Sequence, residues 1–283
     1  MHLMTWPEVL EGLRLNQIGL TAGALIAVVC STIGLYVVLK RIVFVGVSLA
    51  QMSGAGVSLA FLLIPVFPLA GNHPLAVSLV VTLVGVLLYA QHGGSRRVPR
   101  DSAIGIGYLV AAALMLIFIV QSPKGLEEAR DLLDGNIVAL LDRDLVSVAV
   151  LSGVVLAVHV AFHRQFLFTS FDPEMAATQG FRVRAWELLL YLTLGLTIAA
   201  SIQYAGLLAV FAYMVMPPVT GLCVASRMRA VLAVAVLTAV FSTVAGFALA
   251  LKLDLPTSPP TIAVMALVLG VAWLTSRLRG AAA

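Results

Sequence analysis

Few side chains in this sequence could bind a metal ion, and the histidines are the first candidates. His159 and His163 are four residues apart, a spacing that places two side chains on one helix face, where they could share a metal ion. The alternative is that this pair lies at the end of a helix without a ligand role. His73 is a weaker candidate ligand. Cys30 and Cys223 both lie in apolar runs and are interpreted as packing residues rather than as part of a disulfide or zinc framework.

The segment 166–183 carries the clearest local pattern. Asp172 can cap a helix whose first residue is Pro173, a residue that is favourable at that position. Glu174 then lies in the first turn, where the helix dipole favours a negative charge, and Gly180 is a natural stop. The pattern predicts a short helix of about two turns outside the apolar runs. Such a helix could simply connect two spans, or it could be a docking element for a cytosolic partner.

The motifs of several enzyme classes are absent from the sequence. It has no GxxxxGK[ST] loop that could hold ATP, and no HExxH or GxSxG motif. The interiors of the apolar runs hold almost no charge, whereas pumps, ion-coupled secondary transporters and intramembrane enzymes usually carry a buried ionisable group. The sequence therefore predicts a chain that is not an enzyme and binds no cofactor of its own.

The elements that would position these residues are membrane helices. Of the 283 residues 61% are hydrophobic and 11% charged, with a mean hydropathy of +1.07, which excludes a nucleic-acid-binding domain and an ordinary cytosolic enzyme. We expect an all-α polytopic membrane protein with about eight or nine spans in a single domain over residues 1–283. Pro217 and Pro218, together with Gly206, predict a broken helix in the seventh run. The apolar runs are 17–39, 43–67, 74–91, 102–120, 145–162, 186–202, 205–222, 230–251 and 260–276.

The charges between the runs predict an orientation. With the C-terminus in the cytoplasm and sides alternating, cytoplasmic segments hold 12 of the 17 Lys and Arg residues and external segments hold 5. Nine of the 13 acidic residues are then external, many of them in the loop 121–144. The pair Lys40-Arg41 is interpreted as an anchor at the cytoplasmic membrane surface.

The phrase FDPEMAATQGFRV at 171–183 resembles the cytoplasmic signature of the membrane subunits of ATP-binding-cassette importers for zinc, manganese and iron. Further landmarks of that family match in order over roughly residues 16–276. They are Gly34–Arg41, Gly56–Leu63, Asp101–Gly107, Gly135-Asn136, and Gly206 followed by Pro217-Pro218. The resemblance implies a type II ABC importer-like permease in the bacterial cytoplasmic membrane.

The resemblance also implies partners and a mechanism. Two such subunits, expected as a homodimer among membrane lipid, would form the pathway, and two cytosolic ABC ATPases would bind below and use the ATP. A solute-binding protein outside the membrane would deliver the cargo, with no role for nucleic acid. The coupling loop 166–183 would transmit closure of the ATPases to the spans. The residues assigned to this coupling are Phe171, Asp172, Pro173, Glu174, Ala176 and Gly180.

One departure from the family concerns the cargo, for which zinc or manganese is expected first. The family usually carries an aspartate and, four residues on, a histidine in its second span, whereas these positions here hold Val47 and Gln51. Valine cannot bind a metal, and the Gln51 amide is a weak, neutral ligand. The cargo could therefore be a chelated metal or another small solute, and a secondary transporter remains a further alternative. The pathway candidates are Ser48, Gln51, Ser53 and Pro217, with hydrogen bonding between helices as the alternative role for the polar ones.

Overall fold

The computed structural model describes residues 5–67, 69, 71, 73–91, 99–122, 135 and 140–281. Asn136 and most of the predicted loop 121–144 lie outside this set. Within the described residues every regular element is a helix. The helices are α1 Trp6–Leu15, α2 Gln17–Leu39, α3 Val43–Leu62, α4 Pro74–Gln91, α5 Arg100–Gln121, α6 Asp142–Ala161, α7 His163–Phe171, α8 Pro173–Thr178, α9 Val183–Ala205, α10 Leu207–Val224, α11 Met228–Leu253 and α12 Ser258–Ala281.

Nine of the described helices are long and apolar enough to cross a bilayer. They are α2 to α6 and α9 to α12, one for each predicted run, so the predicted all-helical polytopic fold is confirmed. The second run is shorter than expected, because α3 ends at Leu62 rather than at residue 67. Pro65 has no backbone N–H to donate, and the chain closes there in turns such as Val66 N–H to Leu63 O at 3.0 Å.

The seventh span is not broken at its prolines, so that prediction was wrong. α10 runs without interruption from Leu207 to Val224 and includes Pro217 and Pro218, both buried. Of the three residues named in that prediction only Gly206 interrupts the helix: it is the residue before α10, and its φ of +79° separates α9 from α10. A helix inside a bundle can keep its course through proline when neighbouring helices pack around the freed backbone groups.

The most buried spans are α2, α3 and α9, and they form the centre of the bundle. Most of the surface of α4, α5, α6 and α12 faces outwards and is apolar, as lipid or a partner subunit requires. The two ends of the bundle are distinguished by their contacts. Lys252 Nζ lies over the Trp6 ring at the end we call the α1 side. At the opposite end, the α8 side, the Tyr36 hydroxyl pairs with His163 Nδ1 at 2.8 Å.

Candidate functional site

The segment around α8 has the local structure that its sequence predicts. The chain leaves α7 at Phe171 and turns at Asp172, whose Oδ1 accepts a hydrogen bond from the Met175 N–H at 2.9 Å. Pro173 is the first helical residue, and Glu174 lies exposed in the first turn. Because side-chain capping satisfies a backbone donor that the helix leaves open, a helix of only six residues can form here.

The end of α8 is a Schellman motif. The Phe181 N–H donates to Ala176 O at 3.0 Å, and the Gly180 N–H donates to Ala177 O at 3.1 Å. Gly180 adopts a φ of +85°, in the left-handed region where a residue with a Cβ is strained. The predicted stop at Gly180 is therefore confirmed, and it fixes the direction in which the chain returns to α9.

α8 is seated on the bundle by one small residue and presents large apolar ones. Ala176 is fully buried, whereas the Phe171 side chain is 55% exposed and that of Met175 is 52% exposed. These two apolar side chains lie on the α8 side, outside the nine spans. Exposed apolar side chains beside a rigid surface helix are typical of a protein docking site.

A groove of about 660 Å³ separates α8 from the end of α2. One wall is formed by residues 38–42, and the other by Ser170, Phe171 and Pro173. A shallower groove of about 710 Å³ lies on the far side of α8 and is lined by Pro173, Glu174, Ala177 and residues 181–185. We call α8 with its flanking residues, 171–183, the α8 ridge. Pro173 and Val183, near its two ends, line both grooves, so the ridge borders two depressions that a partner could occupy.

Aromatic side chains hold the ridge to the membrane-spanning part of the bundle. The Phe168 and Phe181 rings meet edge to face at 5.5 Å and join the start of the ridge to its end. Trp186, at the start of α9, contacts the Phe166 ring at 5.6 Å and the Phe162 ring at 5.3 Å. Such contacts stabilise a fixed geometry beyond their area burial. These rings therefore link α7, the residue after Gly180 and the start of α9.

An ion pair behind the ridge was missed by the sequence analysis. Lys40 Nζ lies 3.3 Å from Glu187 Oε1, with the two side chains only 10% and 20% exposed, and the Tyr191 hydroxyl donates to the same Glu187 oxygen at 3.3 Å. Lys40 therefore makes a contact within the bundle that its interpretation as a membrane-surface anchor did not include. The signal was present in the sequence, since Lys40 and Glu187 are opposite charges at the same predicted ends of two spans.

Neutralising this pair should destabilise the α8 side. Glu187→Gln leaves the Lys40 ammonium largely desolvated without its counter-charge, so we expect a loss of about 2 kcal/mol in unfolding free energy. Thermal unfolding of the detergent-purified protein would measure it. Glu174→Gln, at an exposed carboxylate on the same side, is the matched control and should change little. Exchanging the charges, Lys40→Glu with Glu187→Lys, should restore part of the loss, and no difference between Glu187→Gln and Glu174→Gln would contradict the prediction.

The two histidines four residues apart do not lie on one helix. α6 ends at Ala161 and α7 begins at His163, with the break at Phe162, so the spacing argument for a shared metal was wrong. His159 Nδ1 pairs with Val155 O at 3.0 Å, and its ring stacks on Phe166 at 4.6 Å. His163 pairs with Tyr36 instead.

His73 lies exposed just before α4, on the α1 side. The described residues contain no group of three or more His, Cys, Asp or Glu side chains that could hold a metal ion. Cys30 is buried and Cys223 is half-buried, and both are free, as packing residues would be.

The polar residues of α3 divide into two sets. Ser48 pairs with the Tyr89 hydroxyl, and Ser53 pairs with the Ser78 hydroxyl at 2.8 Å, so both join α3 to α4. These two contacts match the alternative role of hydrogen bonding between helices. Gln51 differs, because its Oε1 atom is buried and has no hydrogen-bond partner among the described residues.

The face of α3 that carries Gln51 is neutral. Ser58, seven residues further on and therefore on the same face, also has a buried oxygen without a partner in the described part of the chain. Val47, one turn before Gln51, is apolar and half-buried. A buried polar atom without a partner is rare and calls for an explanation such as a ligand or a water molecule. This face could thus contact a polar cargo through neutral oxygens, but it offers no carboxylate or imidazole.

Pro217 is buried inside α10, and its ring cannot donate a hydrogen bond to the carbonyl of Tyr213 one turn earlier. Pro218 likewise leaves the carbonyl of Met214 without its usual helical partner. That second carbonyl lies against Gly34 of α2, whose missing side chain allows the close approach. The proline pair therefore contributes to packing between α10 and α2.

Three comparisons place the chain among known proteins. The family described as "ABC 3 transport family" matches residues 14–276. A manganese transport system membrane protein, MntC of Halalkalibacterium halodurans, is 27% identical over 93% of this chain and 88% of its own length. The structure of PsaBC from Streptococcus pneumoniae, in complex with Fab, superposes with a TM-score of 0.83 at 22% identity, covering 95% of each chain.

A second solved structure, of a proposed metal-chelate type ABC transporter in an inward-facing conformation, is more distant. It gives a TM-score of 0.66 at 16% identity over 94% of this chain and 98% of its own. At these identities the two structures establish the fold, which is that of an ABC importer permease.

Proposed function

This chain belongs to the ABC 3 transport family. We propose that it is the membrane-spanning subunit of an ATP-driven importer for a divalent transition metal, and that manganese is the favoured candidate cargo. The observation that carries the proposal is the α8 ridge, a capped helix with the exposed Phe171 and Met175 side chains, on a bundle of nine spans. This arrangement can receive force from a soluble partner and pass it to α9.

The partners follow from the shape and charge of the two sides. We assign the α8 side to the cytoplasm, because the segments that lead to it hold most of the Lys and Arg residues. This assignment also puts the C-terminal end of α12 in the cytoplasm. Two copies of the chain, two cytosolic ABC ATPases at the α8 ridges and one external binding protein at the α1 side would form the working complex. The partner ATPase would hydrolyse ATP, and this chain would rock between its inward-open and outward-open states.

A second candidate cargo is a chelated metal, favoured by Val47 and Gln51. A bare manganese ion is bound by several oxygen ligands, usually with carboxylates among them, whereas this face offers only neutral groups such as the Gln51 amide and no carboxylate. A metal already surrounded by its chelator needs only neutral hydrogen-bonding groups, such as the unpartnered Gln51 Oε1. The two cargoes share the same fold and partners.

Reconstitution tests the function directly. The chain is affinity-purified from its native membrane and placed in proteoliposomes with the ATPase that accompanies it, and uptake of manganese is followed with and without ATP. ATP-dependent uptake that is lost in Asp172→Ala with Glu174→Ala supports the proposal. Uptake driven by an ion gradient without any ATPase would instead establish a secondary transporter. Uptake of manganese only as a chelate would select the second cargo.

Restoring the missing ligands should change metal affinity. Val47→Asp with Gln51→His places a carboxylate and an imidazole one helical turn apart, and we expect the affinity for manganese to rise by about tenfold or more. Isothermal titration of the purified complex would measure it. Val47→Asn with Gln51→Asn is the matched control, since it adds polarity without charged or imidazole ligands. If the two double variants bind manganese equally, this face of α3 does not contact the ion.

A further inference from the structure

α1 is a defined helix that is too short to cross a membrane. It has ten residues, about 15 Å, against the roughly 30 Å of a bilayer core. Its first turn is fixed by the Thr5 N–H, which donates to Glu8 Oε2 at 2.7 Å. Its end is fixed by Asn16, whose side-chain amide donates to Gly12 O at 2.8 Å. Because Asn16 alone separates α1 from the span α2, α1 lies at the level where that span enters the membrane.

One edge of α1 packs on the last turns of α11. Val9 is 1% exposed, and Gly12 faces the Leu251 side chain. Leu13 contacts a small apolar cluster that includes Ala22 of α2 and Phe247 of α11. α1 is therefore docked on the bundle.

An edge of the same apolar face, formed by Trp6 and Leu10, is uncovered. Trp6 is 59% exposed and Leu10, one turn later on the same face, is 62% exposed. Lys252 Nζ lies 4.1 Å from the centroid of the Trp6 ring, which puts an indole and an ammonium group together where α11 ends. Glu8 and Glu11 occupy the other side of the helix, as the helical spacing requires.

The uncovered edge continues the outward face of α11. Leu237, Phe241 and Val244 are exposed along α11 at helical spacing, and this stripe ends near Leu251, which touches α1. In a span, exposed residues of this kind face lipid. Trp6 and Leu10 extend the same apolar surface to the height of the headgroups, where tryptophan and lysine are favoured.

We propose that α1 is a membrane-surface anchor, and that the Trp6 and Leu10 side chains lie at the boundary between the phospholipid headgroups and the acyl chains. Its occupant is the phospholipid surface, and Glu8 and Glu11 face water. Through Gly12 and Leu13, α1 then ties the ends of α2 and α11 to the plane of the bilayer. The inference rests on the membrane setting of the fold and is independent of cargo and of ATP.

Bromine-labelled lipids can locate Trp6. In Trp186→Phe with Trp273→Phe, Trp6 is the only tryptophan, and the full chain is reconstituted in phosphatidylcholine vesicles. Bromines near the headgroup should reduce Trp6 emission more than bromines near the acyl terminus. Adding Phe241→Trp with Trp6→Phe moves the single tryptophan to the middle of α11 and should reverse that order. Quenching of Trp6 by aqueous iodide with no effect of either bromolipid would overturn the proposal.

A second measurement covers the case in which these substitutions impair folding. A spin label is attached at Leu10→Cys in protein whose two native thiols are removed by Cys30→Ala and Cys223→Ala. The label reports the accessibility of position 10 to oxygen, which is concentrated in lipid, and to a nickel complex, which stays in water. A larger oxygen accessibility supports lipid contact. If the label is shielded from both reagents while the external binding protein is bound, and becomes accessible when that protein is removed, a protein covers this edge. That result would overturn the proposal.

Discussion

Gly180→Val should separate ATP hydrolysis from transport, with uptake reduced by roughly tenfold or more and ATPase activity retained. Gly180 holds a φ of +85°, where a β-branched residue is disfavoured by about 1–2 kcal/mol. No atom lies within 4 Å of the position that a Cβ would take, so the effect comes from backbone conformation rather than from a clash within this chain. Losing the Schellman bonds of Gly180 and Phe181 would redirect the end of α8 and break its register with α9.

Gly180→Asn is the matched control, because asparagine adds a side chain but tolerates the left-handed conformation. Uptake and ATP hydrolysis are measured in the same proteoliposomes for all three proteins. We expect near-normal coupling in Gly180→Asn. If Val and Asn fail alike, the partner's surface excludes any side chain at this position. If uptake stays normal in Gly180→Val, the assignment of α8 as the coupling helix is refuted.

The spans and the α8 helix could be predicted because both depend on short-range patterns. Apolar runs of about 20 residues leave the backbone no alternative to a helix in lipid, and Asp172, Pro173 and Gly180 are cap signals that act within one turn. The end of α3 at Leu62 was missed, since the run remained apolar to residue 67 and only Pro65 marked the stop.

The contacts across the bundle were missed, because they join residues far apart in the chain, and opposite charges at span ends do not by themselves show which spans are neighbours. Lys40 and Glu187 were each interpreted from their own neighbours, and the ion pair appears only when α2 and α9 come together. Helical spacing failed for His159 and His163 because the helix breaks at Phe162, a residue that gives no stop signal. At Pro217 the error was the reverse: a break was predicted from proline, but packing by other helices kept the chain helical.

The second large effect is expected from Gly34→Ala, which should prevent correct packing of α2 against α10. A Cβ at Gly34 would lie 2.7 Å from both the Cα and the carbonyl carbon of Met214, closer than atoms in real proteins approach. Both atoms belong to the backbone of Met214 in the span α10, so neither can rotate away. Overpacking that forces backbone shifts typically costs about 1–3 kcal/mol, and the cost here should lie at the upper end because both contacts are to backbone atoms. We expect a strongly reduced yield and melting temperature in detergent.

Gly153→Ala is the control, and we expect it to change the stability in the opposite direction. Gly153 is also inside a span, α6, but no atom lies within 4 Å of its Cβ position. There alanine should stabilise the helix by up to about 1 kcal/mol. A fall in melting temperature for Gly34→Ala with no fall for Gly153→Ala therefore measures the close approach of α2 to the Met214 carbonyl, whose helical partner is lost to Pro218. Equal behaviour of the two variants would mean that α2 and α10 are not in contact at Gly34.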